Sequence, residues 1–119
     1  MTDLYDKIQP GQLAKIQGRK AVYLYYASYG GGSGPLWAVE GVEAQFTTHA
    51  DWDYRRAVCR RVSPEAIELV LEDGTSTTVP IGDVGRYDQM RVPGEGLFRF
   101  SDTDIVLLAP EGDPTTVRL

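Results

Sequence analysis

Short runs of alternating apolar and polar residues fill most of the chain, and turn-forming residues separate them. Alternation places successive side chains on opposite faces of an extended segment, so this pattern predicts β-strands rather than helices. Residues 65–71 are the clearest case, with Ile67, Leu69 and Leu71 at alternate positions. Together with the runs at residues 55–62 and 75–81, they predict an antiparallel meander over residues 55–84.

The register of the hairpin in this meander follows from its apolar positions. A two-residue loop would place Ile67 opposite Pro80 and would mix apolar with charged residues on one face. A three-residue loop, with Gly74 in the left-handed conformation, places Ile67 opposite Val79 and keeps the apolar set together. A shift of one residue turns every side chain to the other face, so the sequence predicts the three-residue loop.

The same reasoning assigns the rest of the chain. We predict a short N-terminal helix at residues 3–8 and a flexible glycine-rich loop at residues 30–35. Further strands are predicted at residues 12–17, 20–29, 36–46 (bent at Gly41), 86–92, 97–100 and 103–109, and residues 115–119 are either a final edge strand or a tail. Many short strands joined by tight turns predict a small β-barrel or sandwich.

The fold prediction is therefore a single all-β domain over residues 1–119. A small antiparallel barrel and a sandwich use the same alternation, and the short connections favour an SH3-like, partly open barrel. Hydrophobic residues at 42% and charged residues at 24% agree with a globular domain.

The charge balance makes several classes of partner less probable. The chain has 12 Lys and Arg against 17 Asp and Glu, a net charge of −5. General nucleic-acid binding and a polybasic membrane contact both need an excess of basic residues, so we expect neither. Residues 1–7 lack the features of a signal peptide, no apolar run reaches the ~20 residues of a membrane span, and a lone cysteine cannot form an internal disulfide. We expect a cytoplasmic protein, in its own cell or in a host cell that a virus has entered.

Candidate catalytic chemistry is sparse. His49, Asp51 and Asp53 form an H-x-D-x-D pattern whose side chains could bind a divalent metal on one face of an extended segment. A solvated loop explains the pattern better. Cys59, with His49, could form a nucleophile and base, but a lone cysteine in a strand is more often a small buried hydrophobic residue. We therefore assign no catalytic residue, metal or cofactor, and a metal-dependent enzyme using His49 ranks last among the functions considered.

Four arginines within seven residues are the largest charge anomaly of this acidic chain. They could bind a small anionic ligand such as a nucleotide, with an aromatic ring stacked beside it. The alternative, which we favour, is that they pair with nearby carboxylates such as Glu40, Glu43, Glu65 and Glu68. The candidate anion-binding residues are Trp52, Tyr54, Arg55, Arg56, Arg60 and Arg61.

A tyrosine-rich strand precedes the glycine-rich loop. If its even-numbered apolar residues face the core, Tyr23, Tyr25 and Tyr29 face solvent, with Trp37 following the loop. Exposed aromatic side chains beside a flexible loop are typical of recognition surfaces. The leading hypothesis is thus a non-enzymatic protein-interaction or assembly module that binds another protein or a copy of itself, for example a viral or mobile-element component or an inhibitor. A binder of a small anionic ligand is the alternative.

Overall fold

The computed structural model describes residues 7–29, 32–46, 55–84, 105–109 and 114–115, with the backbone alone at 27–29, 32–34, 44–45 and 114–115. Two antiparallel sheets, with strand orders β3-β2-β1-β8-β9 and β4-β5-β6-β7, pack together, which confirms the all-β prediction and is consistent with a small open β-sandwich or barrel. The strands are β1 (Leu13–Ile16), β2 (Arg19–Tyr29), β3 (Gly32–Val39), β4 (Glu43–Phe46), β5 (Arg55–Val62), β6 (Ala66–Leu71), β7 (Ser76–Pro80), β8 (Ile105–Leu108) and β9 (Pro114–Thr115).

One cluster of buried side chains draws on both sheets. Ile16 and Val39 from the five-stranded sheet belong to it, as do Val62 and Ile67 from the four-stranded sheet, and each is at most 1% exposed. Fully burying an aliphatic side chain of this size contributes about 1.5–3 kcal/mol, so the alternating apolar positions supply the main force that holds the sheets together.

The turn between β1 and β2 is a two-residue hairpin loop. Ile16 pairs with Arg19, and both residues between them have positive φ, +51° at Gln17 and +80° at Gly18. This left-handed pair matches the right-handed twist of the flanking strands. The predicted turn at residues 18–19 therefore lies one residue too late.

The segment at residues 36–46 is two strands in different sheets, where one bent strand was predicted. β3 ends at Val39 and β4 begins at Glu43. Between them Gly41 has φ +83°, a conformation that glycine adopts at little cost. The backbone N–H of Glu40 donates to the Lys20 carbonyl at 2.9 Å, and its carboxylate accepts from the Val62 N–H at 2.9 Å. Glu40 therefore links the two sheets at this corner.

The predicted register of the β6–β7 hairpin is confirmed. Ile67 pairs with Val79, and Gly74 has φ +87°. The Leu71 N–H donates to the Thr75 carbonyl at 2.8 Å, which closes the three-residue loop. Hydrogen bonds to Asp73 from the Thr75 hydroxyl at 2.6 Å and the Thr75 N–H at 3.0 Å hold the pKa of that carboxyl below its usual value.

The predicted glycine-rich loop at residues 30–35 is wrong for residues 32–35, which lie in β3. Tyr29 pairs with Gly32 and Tyr26 with Pro35, so only residues 30 and 31 separate the paired strands. Proline is tolerated here because β3 pairs only with β2 among the described strands and so needs fewer N–H donors.

Several predicted elements fall outside the described residues. Of the helix at residues 3–8, only residues 7 and 8 are described, and Lys7 is helical. The strands predicted at residues 86–92 and 97–100 lie wholly outside. No helix in the described ranges is long and apolar enough to cross a membrane.

Candidate functional site

The aromatic surface predicted from the tyrosine-rich strand is not a surface. Tyr23 is 4%, Tyr25 8% and Trp37 1% exposed, so the prediction that these side chains face solvent is wrong. The rings of Tyr23 and Trp37 pack against each other, with centroids 5.3 Å apart. Tyr26, predicted to face the core, is 47% exposed, and the Tyr29 side chain lies outside the described part of the chain.

A β-bulge explains the reversal at Tyr25 and Tyr26. Tyr23 pairs with Trp37 but Tyr25 pairs with Leu36, so Leu24 is an extra residue in β2. Trp37 and Leu36 are neighbours in β3 and face opposite ways, so Tyr23 and Tyr25 also lie on opposite faces of the sheet. Both are buried because both faces of the sheet are covered at this point.

The arginine strand pairs with carboxylates of its own sheet. Arg56 forms ion pairs with Glu43 of β4 and with Glu72, the latter at 3.7 Å. Arg60 lies 3.6 Å from Glu68 of β6. The favoured explanation of the cluster is thus confirmed for these two arginines. Their side chains are 58% and 60% exposed, so the pairs add little stability.

A second bulge shapes the same strand. Cys59 pairs with Leu69 and Arg61 with Glu68, which leaves Arg60 as the extra residue of β5. Arg60 and Arg61 are consequently both exposed, although they are adjacent. Arg61 forms no ion pair within the described residues, and it lies beside Glu68 on the outer face of the four-stranded sheet.

Five of the predicted site residues lie outside the described ranges, so their arrangement stays a prediction. Within those ranges no group of three or more His, Cys, Asp or Glu side chains could hold a metal ion. The five residues are His49, Asp51, Trp52, Asp53 and Tyr54.

Cys59 is a buried hydrophobic residue, as the sequence predicted. Its side chain is 0% exposed, and its thiol lies 3.8 Å from the Arg61 carbonyl oxygen. Burial, with a smaller effect from the Glu40 charge, raises the pKa of Cys59 from 9.0 to about 12. A thiol that stays protonated and inaccessible is a poor nucleophile.

This pKa shift predicts a pH-dependent loss of stability. The unfolded thiol ionises near pH 9 while the folded thiol stays protonated to about pH 12. The contribution of the protonated Cys59 thiol to the free energy of unfolding is therefore fully present below pH 9. It falls between pH 9 and 12, by at most about 1.4 kcal/mol per pH unit. Urea denaturation of the wild type and of Cys59→Ala across pH 7–11 measures it. The difference between the two free energies of unfolding should be constant below pH 9 and should shift against the wild type above it; a constant difference to pH 11 would show that the thiol ionises equally in both states.

A shallow cleft of about 270 Å³ lies beside the start of β1. Residues 7–13 form one wall, and Pro64 and Leu108 form the other. The Gln12 side chain donates to the carbonyls of Leu13 and Leu108, both at 2.9 Å, so it fastens this wall to β8. The lining offers one charged side chain, Lys7, which is insufficient for a specific ligand.

The edge strand β7 is the candidate interaction site. Within the described part of the chain it pairs only with β6. Hydrogen bonds link Leu71 to Thr75 at 2.8 Å and Ile81 to Glu65 at 2.9 Å, which fixes the alternation of the ladder. The odd-numbered residues of β7 therefore bond to β6, and Ser76 and Thr78 direct their N–H and C=O groups away from the sheet.

The side chains of β7 leave this edge accessible. Ser76, Thr77 and Thr78 are exposed, and Val79 is buried in the core. Pro80 occupies an outward-directed position, where its missing N–H removes no bond to β6. Natural sheets protect open edges with charges, prolines or bulges, and within β7 the only such residue is Pro80.

Carboxylates lie at both ends of this edge. Asp73 precedes β7, Asp83 follows it, and Glu65 accepts the Ile81 hydrogen bond at the same end as Asp83. All three are exposed. Residues 63–84 contain five acidic residues and no basic one, and the remaining acidic residues equal the 12 Lys and Arg in number, so this segment accounts for the whole net charge of −5.

This site was not predicted from the sequence, although a signal was present. The strand predicted at residues 75–81 has no charged residue and contains Pro80, a combination that indicates an edge strand. The chain matches no protein-family model, no curated protein and no solved structure.

Proposed function

We propose that this protein is a non-enzymatic protein-interaction module and that strand β7 is its docking element. The observation that supports this most directly is the outward direction of the N–H and C=O groups of Ser76 and Thr78, at a strand that pairs only with β6 in the described ranges. An extended segment of another protein could add there as a further strand and form four backbone hydrogen bonds.

The binding free energy of such docking is the sum of several small contributions. Each backbone hydrogen bond contributes about 0.5–1.5 kcal/mol net, so four of them give a reversible interaction rather than a permanent one. A component of a larger assembly, or an inhibitor that binds its target in the cytoplasm, would use an interaction of this kind. The strand is held rigidly by its pairing with β6, which lowers the entropic cost of binding.

The alternative of a small anionic ligand has weaker support. Arg56 and Arg60 already contact Glu43, Glu72 and Glu68, and an anion would have to compete with those carboxylates. Binding of a small anionic ligand remains a hypothesis. Trp52 and Tyr54, the aromatic residues proposed to stack beside the ligand, lie outside the described part of the chain.

Substitution of Thr78 by proline tests the proposed function. Thr78→Pro removes an outward N–H without removing any bond to β6, as Pro80 already does two residues later. A library of random displayed peptides, selected on the wild type, should yield binders that bind Thr78→Pro about tenfold more weakly or not at all, since one lost hydrogen bond of ~1.4 kcal/mol is a factor of ten.

Thr78→Val is the matched control, because it keeps the N–H and the β-branched shape and should keep binding. Thermal unfolding must show that each variant is folded, and Ser76→Pro, which removes the neighbouring outward N–H, replaces Thr78→Pro if that variant unfolds. A selection that returns no binders, or binders that are indifferent to both proline variants, contradicts the proposed docking element.

A further inference from the structure

We infer that the natural occupant of the β7 edge is an extended polypeptide segment with basic residues at its ends. This inference rests on the proposed function and adds to it the chemical class of the partner. Two observations on the described residues carry it: the open backbone edge at Ser76 and Thr78, and the exposed carboxylates that lie at both ends of that edge.

The carboxylates at the Ile81 end of the edge are those that the sheet does not neutralise, whereas the charge of Arg55 of β5 acts on Asp73 at the other end. Glu68 and Glu72 lie near Arg60 and Arg56 of β5, whereas Glu65 and Asp83 form no ion pair within the described residues. The arginines of β5 lie two strands away from the edge, at ~4.8 Å per strand, so a docked segment meets the carboxylates first. Lys or Arg side chains flanking the added strand would lie within one Debye length, about 8 Å at physiological salt, of these carboxylates.

The same charges disfavour a second copy of this chain as the occupant. Antiparallel pairing of β7 with β7 of another molecule would bring together two copies of residues 63–84, each with five acidic residues and no basic one. Like charges facing each other across an interface suppress the wrong partner. A basic segment gains attraction at the positions where a second copy would meet repulsion.

The register of β7 also specifies the centre of the segment. Side chains directly opposite in an antiparallel pair share a face, so the residue opposite Val79 extends the core and should be apolar. Residues opposite Ser76 and Thr78 lie on the solvated outer face and should be polar. The expected occupant therefore alternates apolar and polar residues for about five positions, with basic residues on either side.

Synthetic peptides test this inference directly. The probe is Lys-Lys-Val-Thr-Val-Thr-Lys-Lys, labelled with a fluorophore and titrated with the full-length protein while anisotropy is measured. We expect it to bind at least about tenfold more tightly than the same peptide with Gln in place of its four lysines. The peptide with Glu at these four positions should bind more weakly still. Its affinity should fall with added salt, and Glu65→Gln combined with Asp83→Asn should reduce the preference for lysine.

The outcomes separate this inference from the proposed function. Equal binding of the Lys-ended and Gln-ended peptides, lost in Thr78→Pro, overturns the basic partner and leaves the docking element intact. A dimer seen by light scattering that Thr78→Pro dissociates overturns it in favour of a second copy. Lysine peptides that bind Thr78→Pro as tightly as the wild type place their site elsewhere, and so also overturn the inference. Failure of the proposed function itself is shown by the peptide library, which has no charge requirement.

Discussion

Replacing Tyr23 with alanine is expected to destabilise the protein by about 3–5 kcal/mol, the usual cost of removing a buried aromatic side chain. Tyr23 is 4% exposed and packs on Trp37, which is 1% exposed, so truncation leaves a cavity at the centre of β2 and β3. A loss of this size is a large part of the stability of a small domain, which is typically about 5–15 kcal/mol. Urea denaturation monitored by tryptophan fluorescence measures it.

Tyr26→Ala is the matched control, because the same residue type lies on the same strand and is 47% exposed. We expect it to cost within about 1 kcal/mol, since substitutions at exposed positions usually have small effects. Equal losses for the two variants would contradict the burial of Tyr23 against Trp37. The pair therefore tests the largest correction that the structure made to the sequence-based prediction.

Gly11→Ala is expected to cost about 3–4 kcal/mol for two separate reasons. Gly11 has φ +98°, and the left-handed region costs a residue with a Cβ about 1–2 kcal/mol. An added Cβ would also lie 2.6 Å from the Pro64 carbonyl oxygen, a backbone atom that cannot rotate away. The same residue donates its N–H to the Tyr23 carbonyl at 2.8 Å, so movement to relieve the clash would break a ladder bond.

Two other glycines separate these contributions. Gly18 and Gly74 have φ +80° and +87°, but nothing lies within 4 Å of an added Cβ at either position. Alanine there should cost only about 1–2 kcal/mol, the conformational part alone. Thermal or urea unfolding of the three variants should place Gly11→Ala well below the other two. Three equal losses would mean that the chain relaxes freely around Gly11 and that residues 9–12 are not held against Pro64.

Local regularity explains which predictions succeeded. The register of the β6–β7 hairpin was predicted to the residue, because its turn contains Gly74 and its apolar residues keep one face when the register is right. The bounds of β5 were also predicted, since the turn-forming residues Ser63 and Pro64 follow Val62 directly. Both predictions used only contacts between residues near each other in the chain.

Non-local packing explains which predictions failed. The faces of β2 were predicted from strict alternation, and the bulge at Leu24 reverses that alternation halfway along the strand. The sequence shows no unusual residue there, because a bulge depends on how the partner strand β3 is aligned. The corner at Gly41 was predicted as a bend, but its consequence, a change of sheet fastened by Glu40, depends on strands more than twenty residues away in the chain.

The candidate site shows the same division between features that the sequence determined and features that the tertiary structure decided. Composition and pattern alone determined an all-β domain, the central hairpin and its register, the buried character of Cys59, and an acidic segment over residues 63–84. Tertiary structure decided that Tyr23 and Tyr25 are core, that two of the arginines meet carboxylates, and that β7 pairs only with β6 in the described part of the chain. Alternation and turn chemistry are properties of neighbouring residues. Burial of a sheet face and exposure of a strand edge depend instead on which strands lie against that face or edge, and the packing of the whole chain sets this.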